Sequence, residues 1–173
     1  EAAAALLSSA RFPVIHAGGG VLAAGASEAL ARLAERLQAP VIMTETSRGA
    51  ISDHHALALD AVAGRAVIRR ADVLLVVGSR FMSRMAPLPQ WTSPSTQFIY
   101  LNVEAEAAAP PRKPGLLVQA DAVLGLKALE AAVAARHASR AALVQAARQD
   151  VGVSFPEHDE RRPSLGGQID TYA

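Results

Sequence analysis

The sequence predicts an α/β protein, a three-layer sandwich in which a parallel sheet is covered by helices on both faces. Two patterns predict it. Short, often β-branched runs recur along the chain and are apolar at nearly every position, as strands buried on both faces are. Between them lie stretches with helical composition, so successive strands are joined by crossovers rather than hairpins.

The elements follow in order. Glu1 to Ala10 reads as an alanine-rich helix with no strand before it. Pro13-Val14-Ile15-His16 is the first strand, followed by Ala17-Gly18-Gly19-Gly20. From Ser27 to Leu37, the residues Leu30, Leu33, Ala34 and Leu37 recur at i, i+3, i+4 and i+7, one face of an amphipathic helix. Pro40 to Thr44 is a second strand. Ile51 to Arg70 has room for a short strand around Leu57 to Leu59 and a helix over Ala63 to Arg70. Val73 to Val77, closed by Gly78, is the strongest strand, and Phe98 to Leu101 and Leu116 to Val118 bring the clear strands to five. Asp121 is placed to cap a helix running from Ala122 to about Ala135. Helical composition continues from His137 to Arg148, and Asp150 to Gly167 turns polar and proline-containing. Both ends read as connectors. The chain has no internal repeat.

Composition narrows the function classes. The 173 residues suit one domain, and 51% hydrophobic against 19% charged residues exclude disorder as the dominant state. A net charge of +1 and an aromatic content of 4% offer neither a basic field nor stacking platforms, so nucleic acid is not an expected partner. The absence of cysteine removes disulfides, thiolate zinc sites and cysteine nucleophiles. Val73 to Val77 is far shorter than the roughly 20 apolar residues of a spanning helix, and Ala2 to Leu7 lacks the basic start of a signal peptide. A soluble, cytoplasmic protein without membrane partners is expected.

Ligands of open parallel sheets bind beyond the carboxyl ends of the strands, which directs attention to the segments after Ile15, Thr44, Val77, Leu101 and Val118. Gly18 to Ala23 fits G-x-G-x-x-A after a strand, the pattern of a dinucleotide-binding turn. The acid expected roughly 20 residues on would be Glu45, but it lies 27 positions after Gly18, and the helical periodicity starts near Ser27 rather than on the glycines. A glycine turn that lets the chain cross the sheet explains the segment as well. Asp53-His54-His55 reads as a loop, because adjacent imidazoles point to different faces and no third metal ligand is near. Asp72 suits a cap or turn. Gly78 to Arg84 places Arg80 and Arg84 beyond a central strand, where they could hold a phosphate or carboxylate, or make solvated ion pairs.

Several segments together resemble a known family. Pro13 to Val21, Leu33 to Val41, Thr44 to Gly49, Asp53 to Leu57, Ala71 to Phe81, Tyr100 to Glu104 and Gln119 to Asp121 fall in the order of the central domain of thiamine-diphosphate-dependent enzymes. The acetolactate synthase-like members are the most similar subgroup, over roughly Pro13 to Val133. The resemblance implies a six-stranded parallel, Rossmann-like fold lying between two other domains. Those flanking domains bind thiamine diphosphate and magnesium, one through an activating glutamate and the other through a Gly-Asp-Gly motif with paired asparagines. This sequence has no Gly-Asp dipeptide and one asparagine, Asn102, so no catalytic residue and no metal ligand is expected on it. The implied organisation is a linker helix over residues 1–12, the central domain over 13–149 and a linker over 150–173, with Pro163 to Leu165 entering a third domain.

Some relatives hold FAD or ADP in this domain. The matching positions are Gly18, Gly19, Gly20, Thr44, Gly78, Arg80, Asn102, Glu104 and Asp121. Met82 and Ser83 stand where flavin-binding relatives often have acids, Asp60 to Gly64 is less glycine-rich, and Asn102 replaces an aspartate. The expected role is therefore a scaffold and subunit-contact domain. Its parent would be a carboligase or 2-oxo acid decarboxylase, a homodimer or homotetramer, that makes or breaks a carbon–carbon bond beside a carbonyl. A nucleotide-binding module is the alternative, and an independent NAD-dependent enzyme fits the Gly18 to Glu45 spacing less well.

Overall fold

The computed structural model describes residues 1–81, 91–108, 114–136 and 138–150. Met82, Ser83, Arg84 and the segment from 151 to 173 lie outside the described residues. The chain runs α1 (Ala2–Ser9), β1 (Pro13–Ala17), α2 (Gly19–Ala23), α3 (Ser27–Leu37), β2 (Val41–Met43), β3 (Ala58–Asp60), α4 (Gly64–Ile68), β4 (Val73–Val77), β5 (Gln97–Asn102), β6 (Gly115–Gln119), α5 (Ala122–Ala132) and α6 (Ala141–Asp150). The six strands form one parallel sheet in the order β3-β2-β1-β4-β5-β6. The short run near Leu57 is thus the sixth strand, at the sheet edge.

The register fixes the two faces. Ile42, His16, Val76 and Tyr100 stand side by side across four strands, so their side chains share a face and Leu101 points to the other. A Cβ on Gly64 would strike Ile42, which puts α4 on the first face. One on Gly125 would strike Leu101, which puts α5 on the second. The α6 helix joins α4, and α1 and α3 join α5. All five positions of β1 and of β4 are buried, as strands covered twice must be.

Several local features follow from single residues. Asp121 caps α5, its carboxylate accepting the N–H groups of Val123 at 2.9 Å and Leu124 at 3.3 Å. The Asp72 carboxylate accepts from the backbone N–H groups of Arg11 at 2.6 Å and Phe12 at 2.8 Å, which ties the start of β4 to the start of β1. The α3 helix ends with Gln38 in the left-handed region (φ 49°) and Ala39 donating to the Ala34 carbonyl, a Schellman closure built without glycine.

Arginines after α5 hold helix ends that carry partial negative charge. Arg136 donates to the carbonyls of Leu7, Ser8 and Ala10, and Arg140 to those of Gln38 at 2.8 Å and Arg11 at 2.6 Å. The N-terminal helix is accordingly docked, with Leu7 completely buried. No helix among the described residues is long and apolar enough to cross a membrane.

Candidate functional site

The order 3-2-1-4-5-6 reverses direction between β1 and β4, and a crevice opens where such a reversal occurs. Here the chain leaving β1 and the chain leaving β4 meet backbone to backbone. Gly18 donates to the Val77 carbonyl at 2.9 Å, Gly20 to the Gly78 carbonyl at 3.0 Å and Val21 to the Gly18 carbonyl at 3.0 Å. A Cβ on Gly18 would lie 2.5 Å from the Gly78 oxygen, and one on Gly20 would lie 2.8 Å from the Gly78 Cα. Gly78 itself has φ +55°, a conformation that disfavours any side chain. Close approach of two backbone segments therefore accounts for Gly18, Gly20 and Gly78.

Beside this junction lies a cleft of about 340 Å³ whose lining includes Gly20, Gly78, Arg80, Asn102, Glu104 and Asp121. Six of the nine residues singled out from the sequence thus converge. Gly18 sits just behind the lining at the N-cap of α2, and Gly19 faces Thr46, whose Oγ1 would be 3.2 Å from an added Cβ. Thr44 stands apart at the end of β2. Its hydroxyl pairs with those of Thr46 at 3.1 Å and Ser47 at 3.0 Å in the 3-10 turn Glu45–Ser47. Ala24, Leu101, Val103, Ala120 and Ala122, none of them a candidate site residue from the sequence, also line the cleft. Four of them neighbour residues already named; only Ala24 carries no sequence signal.

Many polar groups at the cleft are engaged in local structure. The Asp121 Oδ1 caps α5, and the Asn102 Oδ1 accepts the Glu104 N–H at 3.1 Å. The α2 helix does start on the glycines, which the periodicity had not indicated, but it is five residues long, and the N–H groups of Gly20 and Val21 already reach protein carbonyls.

Two histidines clarify neighbouring chemistry. His55 accepts the Leu57 N–H at Nδ1 (3.2 Å) and meets the Glu35 carboxylate at Nε2 (3.0 Å), so it ties a loop to α3 with its proton on Nε2. His16 shares a sheet face with Tyr100 and stands edge-on to Phe81 with ring centres 4.8 Å apart. Its buried Nδ1 has no hydrogen-bond partner among the described residues, and burial lowers its pKa from 6.5 to about 4.

The family model for the thiamine pyrophosphate enzyme central domain matches residues 1–129. The chain belongs to this family. It is 35% identical over 125 residues to a Methanocaldococcus jannaschii protein described as "Probable acetolactate synthase large subunit", covering 69% of this chain and 20% of that one. It is 36% identical over 107 residues to acetolactate synthase of Mycobacterium avium, covering 58% and 17%. The large subunit of Escherichia coli acetolactate synthase isozyme 1 is 30% identical over 125 residues, covering 69% and 22%. Among solved structures, a Mycobacterium smegmatis chain described as thiamin diphosphate-dependent superposes with a TM-score of 0.65 at 22% identity, covering 78% of this chain and 27% of that one. The chain thus spans about a fifth of the length of the curated relatives it matches.

As a thiamine pyrophosphate enzyme central domain, the chain carries the family's Rossmann-like sheet. The described residues do not form a site for thiamine diphosphate with magnesium. The glycine turn has its N–H groups at Gly18, Gly20 and Val21 directed to protein carbonyls, and no cluster of three metal-ligating side chains occurs among the described residues.

Proposed function

We propose that this domain is the scaffold of a thiamine-diphosphate- and magnesium-dependent enzyme, an acetolactate synthase-like carboligase or 2-oxo acid decarboxylase. It holds the pyrimidine- and diphosphate-binding domains of the same polypeptide in place and carries no catalytic group. Thiamine diphosphate would supply a carbanion equivalent that attacks a carbonyl carbon, and residues outside this chain would bind it. The parent would be a cytoplasmic homodimer or homotetramer, and residues 1–12 and 150–173 would be its linkers around a 13–149 domain.

One observation carries this reading. At the switch point, where a nucleotide-binding fold presents free N–H groups, Gly18, Gly20 and Val21 donate to Val77, Gly78 and Gly18. FAD or ADP in the adjoining cleft, with Arg80 on the phosphates, is the less favoured reading. Calorimetric titration of the purified chain with thiamine diphosphate and magnesium separates scaffold from catalyst. No heat of binding is expected. Micromolar affinity, about −8 kcal/mol, would overturn the proposal.

A further inference from the structure

We infer that the outer edge of β6 is a docking surface, covered in the full-length protein by an apolar surface of the same polypeptide lying outside these 173 residues. This rests on the reading of the chain as one domain of a longer enzyme. Three observations carry it.

The first is a mismatch between sequence and surroundings. Gly115-Leu116-Leu117-Val118-Gln119 is uncharged and reads as a strand covered on both faces, yet Leu116 and Leu117 are 39% and 37% exposed. Leu116 and Leu117 stand on opposite faces of this strand, and Val103 and Leu124 are also exposed, at 62% and 67%. The Gln119 side chain holds the Val103 carbonyl at 3.2 Å, and Leu124 lies in the first turn of the helix that follows β6.

The second concerns backbone direction. Ala120 donates to the Asn102 carbonyl, so Leu116, Val118 and Ala120 direct their backbone groups toward β5. Leu117 and Gln119 must therefore direct theirs outward, where an added segment can pair with them.

The third is the contrast with the opposite edge. The three-residue β3 ends at Asp60, and its outward carbonyl at Ala58 is taken by the Arg148 guanidinium at 2.6 Å. Arg148 also closes the carbonyls of Asp53 and His55, each at 2.9 Å. One edge has its outward carbonyl closed by a side chain, whereas among the described residues no side chain hydrogen-bonds the outward backbone groups of β6, although the short helical segment Ala105–Ala108 packs against that strand.

The relatives choose the occupant. This chain spans 17–22% of their length, so a protein of their size has ample polypeptide to cover the edge. Because Val103 also lines the cleft, the covering segment would wall that cleft on its β6 side.

The test is amide hydrogen exchange on the full-length protein, with Leu117→Asp as the variant. The Leu117 and Gln119 amides should exchange about 100-fold or more slower than freely solvated amides. Leu117→Asp should abolish that protection while amides of Val73 to Val77 stay protected, which shows the sheet intact. Fast exchange at Leu117 and Gln119 in the unsubstituted protein overturns the inference. Protection that vanishes on dilution to a monomer also overturns it, by assigning the cover to a second copy. Thiamine diphosphate binding to the same preparation is read separately, so failure of the domain reading and failure of the docking edge are distinguishable.

Discussion

The Gly20 N–H donates to the Gly78 carbonyl at 3.0 Å, and a Cβ on either glycine would stand 2.8 Å from the Cα of the other. This contact joins the first turn after β1 to the end of β4 at the centre of the sheet. It converts a glycine run with the pattern of a phosphate cradle into a junction between two backbone segments.

Substitutions at this junction should be costly. Gly20→Ala should destabilise the fold by about 2–4 kcal/mol, because backbone rather than a flexible side chain opposes the added methyl. Gly25→Ala is the control. Gly25 has φ +65° but open space around it, so only the left-handed backbone cost of about 1 kcal/mol applies. Urea midpoints of the two variants should differ in that order.

Stability should depend on pH through His16. Its folded pKa of about 4 lies below the unfolded value of 6.5, so the unfolded chain binds the proton more tightly. The neutral form's full stability is present above pH 6.5 and falls as pH drops toward 4, by about 3 kcal/mol in all. Chemical denaturation at pH 7.5 and pH 4.5 should show the loss, and His16→Leu should remove this component. An equal slope in both proteins would rule His16 out as its source.

Arg136 should matter more than an exposed arginine. Its guanidinium serves the carbonyls of Leu7, Ser8 and Ala10, and Arg136→Ala leaves those groups to find water. A loss of about 2 kcal/mol is expected, with faster amide exchange across Ala2–Ser9 than across β4. Lysine, a compact charge without the planar fork, should restore only part.

Asp72→Ala should cost about 1–3 kcal/mol. It removes the acceptor for two N–H groups at the entry to β1, while leaving the cleft residues untouched. Unfolding midpoints measure the loss.

Much of the sheet was legible because its strands are apolar on both faces, as in Val73 to Val77 and Phe98 to Leu101. The α3 stripe and the Asp121 cap follow from local chemistry and were readable too. The α2 helix was not, since two glycines open it and its backbone is held by β4 rather than by propensity. Gln38 in the left-handed region gave no signal, because glycine usually marks that position. The arginine clamps were also hidden. Arg136 reaches Ser8 across 128 positions, and no local pattern records such a pairing. At the cleft, the rule that ligands lie beyond strand ends pointed to Arg80, while Asn102, Glu104 and Asp121 came from the resemblance to relatives that hold FAD or ADP. Thr44 was grouped with them by the same resemblance, but its hydroxyl turns to Thr46 and Ser47.

The most direct test of the scaffold reading is a nitrogen-15 amide titration of the chain with ADP, FAD and thiamine diphosphate–magnesium, each to millimolar concentration. The Gly18, Gly20 and Val21 resonances should stay in place and their amides should exchange slowly, since each already donates to a protein carbonyl. Saturable shifts at those three amides with any of the ligands would contradict the account, because the glycine turn would then be holding phosphate.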